Sequence, residues 1–177
     1  STFYSFNPVE GFRLRAGGRT TNSFSKRVVF EGYGAYGFKD QKWKYYFGAT
    51  YSLSKRSIYE FPVKSIKLSY QKDTKIPGQE LQFIQEDNIL LSFKRGNNNK
   101  WLYNDIANFE YLNEFKNHLS FAIGYKNWAQ KAAGDLVYSY TNYNEVLTNV
   151  KNIQTSEASI TLRWAPNEKF YQGKTYR

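Results

Sequence analysis

The chain has 177 residues, with 25 Lys and Arg against 15 Asp and Glu, one His, and neither Cys nor Met. Disulfides and thiolate metal sites are thereby excluded, zinc sites of the usual kinds are disfavoured by the single His118, and no apolar run is long enough to cross a membrane as a helix. The formal charge of +10 and an aromatic content of 19% suit contact with a polyanion, either nucleic acid or the phosphates of a membrane surface. A chain that opens on Ser1 and lacks Met is expected to be a piece of a longer polypeptide.

Alternation with period two dominates the chain. In the first predicted strand, Phe12, Leu14 and Ala16 oppose Arg13 and Arg15. Next comes EGYGAYGF (31–38), where Gly32-Tyr33-Gly34-Ala35-Tyr36-Gly37 fits the pattern G-x-G-x-x-G. A dinucleotide loop needs a helix after its glycine turn, to meet the pyrophosphate. Here a turn at 38–42 leads straight into another alternating segment, so the run reads as a strand whose glycines permit curvature. That next segment, 43–54, is the clearest of all. Trp43, Tyr45, Phe47, Ala49, Tyr51 and Leu53 share one face, and Lys44, Tyr46, Gly48, Thr50, Ser52 and Ser54 the other.

Further strands are predicted at 65–71, 118–126, 136–140 and 157–164, with weaker ones at 89–95 and 103–112. Long connections are expected from Lys72 to Asn88 and from Asn142 to Asn152, leaving one rim, which the longer loops would make extracellular. Pro8, Pro62, Pro77 and Pro166 fall outside the strand interiors, where a missing N–H does no harm. The fold class is therefore all-β: an antiparallel up-and-down meander of about 8–9 long strands. It forms one β-barrel region over 1–177.

Alternation alone does not say which face meets which medium. A soluble barrel fills its interior with the apolar face, whereas an outer-membrane barrel turns that face to lipid and the polar one to its lumen. Three features favour the membrane: strands of about ten residues, long enough to span hydrocarbon when tilted, aromatic residues near strand ends, and polar faces rich in Gly, Ser, Thr and Asn. The aromatic girdle candidates are Trp43, Tyr45, Tyr51, Trp101, Tyr103, Tyr125, Trp128 and Trp164. The lumen-lining candidates are Arg13, Arg15, Arg19, Lys44, Glu110, Glu157 and Arg163, the cations expected to pair with Glu110 or Glu157. The competing reading of both sets is plain core aromatics and solvated surface charge. Single-chain bacterial barrels have even strand numbers, which fits a fragment.

The segments NPVEGFRLRAGGRT (7–20), YGAYGFKDQKWKY (33–45), PVKSIKLSYQKDTKIPGQE (62–80), LLSFKRGNNNKWLYND (90–105) and LRWAPNEKFYQGKTYR (162–177) resemble a family of large outer-membrane proteins of Bacteroidota. Members carry an N-terminal carboxypeptidase-regulatory-like domain and a β-barrel similar to the surface-antigen superfamily, which includes assembly factors and two-partner secretion pores. The resemblance implies an internal part of the barrel, its first half, with no catalytic residues to transfer. Arg95-Gly96 matches a dipeptide of that superfamily's lumenal loop but lacks the aromatic neighbour, so its role is not carried over.

No G-x-S-x-G, P-loop or H-E-x-x-H motif occurs, and His118 has no nucleophile at a readable spacing. The function expected is a non-enzymatic barrel of the bacterial outer membrane, serving protein assembly, translocation or surface display. Its partners would be outer-membrane lipid and lipopolysaccharide, with other outer-membrane or periplasmic proteins, and with no nucleic acid or cofactor. The alternative is a soluble basic β-barrel that binds a polyanion through interleaved Lys, Arg and Tyr. A lipid-modifying hydrolase would need a Ser/His pair on the lipid face.

Overall fold

The computed structural model describes residues 3–77, 99–141, 143 and 147–166. Its strands are β1 (Tyr4–Asn7), β2 (Gly11–Arg19), β3 (Val28–Gly37), β4 (Lys42–Ser52), β5 (Lys64–Lys75), β6 (Lys100–Glu114), β7 (Leu119–Gly134), β8 (Tyr138–Thr141), β9 (Leu147–Val150) and β10 (Asn152–Trp164). Eight of them form one antiparallel sheet in the order β1-β2-β3-β4-β5-β6-β7-β10, and β8 pairs with β9 alone. The all-β meander is thus observed, but the sheet is not closed into a barrel: β1 and β10 are its two edges.

Several boundaries differ from the sequence reading. The segment 136–140 is not a wall strand; its residues open the small β8–β9 hairpin, entered through Gly134 at φ +64°, a backbone that L side chains rarely adopt. β7 runs on to Gly134, and β10 begins at Asn152 rather than at Glu157. Lys72 to Lys75 belong to β5 rather than to the long connection after it. The predicted strand 89–95 and the dipeptide Arg95-Gly96 lie outside the described residues.

The registers define two faces. On one face Ala158, Tyr125, Phe109, Leu68, Ala49 and Phe30 fall directly opposite one another across six strands. This apolar face is the exposed one: Trp43 is 67% exposed, Phe47 55%, Leu68 55% and Ile160 75%. The other face is covered and carries the buried charges, with Lys44 only 1% exposed, Asp73 4%, Arg13 5% and Asn104 1%, beside the buried Val29, Ala35, Leu102 and Ile106. Most of the large apolar side chains thus stand on the exposed face, and the buried charges on the covered one.

Side-chain reach tells which face is concave. Arg13 on β2 meets Asp73 on β5 at 3.0 Å, with β3 and β4 between them. Three strand gaps of about 4.8 Å make roughly 14 Å along a flat sheet, so the sheet must curl toward this face for the pair to meet. Ring contacts on the opposite face join neighbours in the sheet, as in Tyr36–Trp43 at 5.1 Å, Phe30–Phe47 at 6.1 Å and Tyr45–Tyr70 at 5.9 Å. The polar face is therefore concave and the apolar face convex.

The glycine run belongs to this geometry. It lies wholly within β3, as strand and not as a phosphate loop. Gly37 is on the concave face, where a Cβ would fall 2.4 Å from Asp40 Oδ1 and 2.7 Å from Lys44 Nζ. Gly34 is on the convex face, and a Cβ there meets nothing within 4 Å.

The strands end at two rims. The first rim holds the turns 8–10 and 38–41, and from it the chain leaves β5 and β7. The second rim holds the connections 20–27, 53–63 and 115–118.

Candidate functional site

Near the first rim, charged side chains from several elements converge on the concave face. Glu10 lies in the β1–β2 turn, held there by its own N–H donating to Asn7 Oδ1 at 2.8 Å. Its carboxylate takes Lys44 Nζ at 2.8 Å and Arg13 Nη1 at 3.3 Å. Lys44 also reaches Asp40 at 2.6 Å, from the β3–β4 turn. Arg13 forks onto both oxygens of Asp73, at 3.0 and 3.1 Å. Asp73 accepts in addition from the Tyr33 hydroxyl, which itself accepts from Gln71 Nε2 at 2.9 Å. Three carboxylates thus meet two cations with their oxygens largely occupied. Such pairing is what makes buried charge tolerable, and the loss of one partner typically costs 3–5 kcal/mol.

A second polar layer lies further along the same face. Arg15 stacks over the Tyr33 ring at 3.8 Å, Tyr33 stacks on Tyr46 at 5.9 Å, and the Tyr46 hydroxyl donates to Glu31 Oε1 at 2.7 Å. Lys67 meets the same Glu31 oxygen at 2.8 Å.

All seven lumen-lining candidates share this face by register. Arg13 and Lys44 are in the cluster and Arg15 is above it, while Arg19 donates to the Tyr59 hydroxyl at 2.7 Å. Glu110 stands opposite Lys67, Glu157 opposite Lys126 and Arg163 opposite Ser120. The ion-pair partners seen for Arg13 and Lys44 are Glu10, Asp40 and Asp73, not the Glu110 or Glu157 that the sequence suggested. The sequence reading singled out none of those three: Glu10 and Asp40 sit in turns, and Asp73 looked like loop.

Of the girdle candidates, Trp43, Tyr45, Tyr51, Trp101, Tyr125 and Trp164 fall on the convex face. Two depart. Trp128 lies on the concave face, where its Nε1 donates to Asn104 Oδ1 at 2.9 Å, a buried partner that holds the indole inward. Tyr103 turns its hydroxyl to Asp40 Oδ2 at 3.1 Å and carries Lys42 Nζ 3.8 Å over its ring, so it joins the ionic cluster.

The apolar band on the convex face does not follow the registers. In β1 and β2 it covers Tyr4, Phe6, Phe12, Leu14 and Ala16, toward the first rim. In β7 and β10 it covers Leu119 to Tyr125 and Ala158 to Trp164, toward the second. Those two strands do extend back to the first rim, but there they show Asn127, Lys131, Asn152, Gln154 and Ser156. The band centre shifts by roughly ten residues over the seven steps from β1 to β10. At about 3.3 Å per residue and about 4.8 Å per strand, that band lies at about 45° to the strands.

Chemically the concave site is a set of mutually neutralised groups. Among the described residues no cluster of three or more His, Cys, Asp or Glu could hold a metal ion. His118 adopts φ +63° in the β6–β7 turn and stacks on Phe61 at 5.2 Å, a packing role. In the hairpin beyond the sheet, burial raises the Tyr138 hydroxyl above the usual tyrosine range. Comparison with protein-family models, curated proteins and solved structures returned no match.

Proposed function

We propose that this chain is wall of a β-barrel in the bacterial outer membrane, non-enzymatic, serving protein assembly, translocation or surface display. One observation carries the reading: an exposed apolar band runs at about 45° across the strands. Strands of membrane barrels tilt by roughly 35–45°, and their lipid-facing band is level with the bilayer. A level band crosses tilted strands obliquely, one to two residues further along at each step. A soluble sheet packed on a core has no need of such a drift.

The concave side supports the same reading. Lumenal charge is ordinary in such barrels, whereas charge facing lipid is not. The backbone must be satisfied all round the wall, so the edges at β1 and β10 call for further strands to close it. The Glu10–Lys44–Asp40 and Arg13–Asp73 groups would narrow the lumen near the first rim. The resemblance to Bacteroidota outer-membrane barrels agrees with this assignment. The alternative of a soluble polyanion binder is less well served, because Arg13 and Lys44 are already paired with carboxylates.

The test is reconstitution into oriented bilayers with polarised infrared measurement of the strands. A tilt of about 45° relative to the membrane normal is expected. A chain that stays monomeric at high concentration in plain buffer, and does not partition into bilayers, would refute the proposal.

A further inference from the structure

The second rim carries a pattern the lumenal cluster does not explain. Its connections 20–27, 53–63 and 115–118 each expose an apolar side chain: Phe24 at 65%, Leu53 at 39% and Phe115 at 42%. Each also exposes cations close by in sequence, namely Lys26, then Lys55 with Arg56, then Lys116. The connections are fastened to one another and to the strand ends. Ile58 N donates to Lys26 O at 3.3 Å, Ser52 N to Arg27 O at 2.7 Å, and Glu114 N to Val63 O at 2.7 Å, while Phe61 stacks on His118. Two acids are present. Glu60 is exposed, and Glu114 has one carboxylate oxygen engaged by Val63 N at 2.8 Å.

We propose that this rim is a docking shelf for the phosphates of anionic phospholipid headgroups. The inference rests on the membrane reading above and assigns a ligand chemistry to one rim. Rings and aliphatic chains adjoining the convex band enter the interface, and the ammonium and guanidinium groups beside them meet phosphate there. Nucleic acid is the poorer fit: the cations are dispersed over three connections, each with an apolar neighbour, beside an apolar wall that bulk water would not tolerate.

The experiment compares the chain in vesicles of phosphatidylcholine alone and in vesicles with about a third phosphatidylglycerol. Insertion is read by quenching of tryptophan with brominated lipid, and headgroup preference by the anionic lipid retained on extraction. The variant is Lys26→Gln/Lys55→Gln/Arg56→Gln/Lys116→Gln, whose sites are all exposed. The ratio of phosphatidylglycerol to phosphatidylcholine retained by the parent chain is expected to exceed the ratio in the bulk vesicle at least tenfold, falling to at most twofold in the variant, with insertion unchanged. Insertion without enrichment, or enrichment unchanged in the variant, overturns the shelf while leaving the membrane reading intact. Failure to insert in either vesicle overturns both. Binding of a short duplex oligonucleotide that abolishes the lipid preference assigns the shelf to nucleic acid instead.

Discussion

Arg13 and Asp73 meet in a two-bond fork although two strands separate their own. The pair is a chord across the concave face, and it reports curvature as well as charge pairing. Replacing Asp73 by Ala leaves a guanidinium 5% exposed with fewer acceptors. A loss of about 3–5 kcal/mol is expected, read as a lower urea midpoint for the chain in detergent micelles. Asp73→Ala combined with Arg13→Met should recover much of that loss, because the guanidinium leaves with its acceptor while Glu10 keeps Lys44 and Asn7. An equal or larger loss in the double variant would show that the pair is not coupled.

Gly37 and Gly34 offer an internal control on the same strand. Gly37→Ala drives a methyl group into Asp40 and Lys44, whereas Gly34→Ala enters open space. The first is expected to destabilise by about 1–3 kcal/mol and the second to be neutral or slightly favourable. Urea midpoints of the two variants, compared with the parent, decide it. The reverse order would mean that the cluster does not fill the concave face at Gly37.

The two faces of β10 make opposite predictions for one added charge. Ile160 and Ser159 are adjacent, with Ile160 on the convex face and Ser159 on the concave one. Under the membrane proposal, Ile160→Arg should hinder insertion by about 2–4 kcal/mol if it lies near the midplane. Ser159→Arg should be tolerated in a wet lumen. Folding yield into vesicles, followed by resistance to added protease, gives the comparison. Equal tolerance at both positions would count against a lipid-facing band.

What was legible in the sequence follows from what alternation means. Trp43 to Leu53 could be read because each face met a different medium, so every second residue changed character. The second half of β7, Asn127 to Gly134, could not: it leaves the apolar band, with Asn127, Ala129 and Lys131 on one face and Gln130 and Ala132 on the other. The start of β10 was missed for the same reason, with Asn152, Gln154 and Ser156 in place of apolar residues. The cluster was half visible. Arg13 and Lys44 stood out as cations on polar faces, but their partners depend on curvature, which brings Glu10, Asp40 and Asp73 together from two turns and a strand end. Trp128 was assigned by its residue type, and only the register reveals its inward face.

That last correction yields a spectroscopic prediction. Trp164 is 70% exposed on the convex face, while Trp128 donates to the buried Asn104 on the other. Four tryptophans are present in all, at 43, 101, 128 and 164. Single-tryptophan variants that retain only Trp164 or only Trp128, with the others changed to Phe, separate the two environments. In vesicles of brominated lipid, Trp164 should be strongly quenched and Trp128 hardly at all. Because Trp128 is on the concave face, a water-soluble quencher such as acrylamide should reach it better than brominated lipid does. Adding Asn104→Ala to the variant that retains only Trp128 removes the indole's acceptor and should broaden or shift its emission without exposing it to lipid. Strong lipid quenching of Trp128 would place it among the outward-facing rings after all, and would require the register of β6 against β7 to slip by one residue, turning every side chain of that pair to the other face.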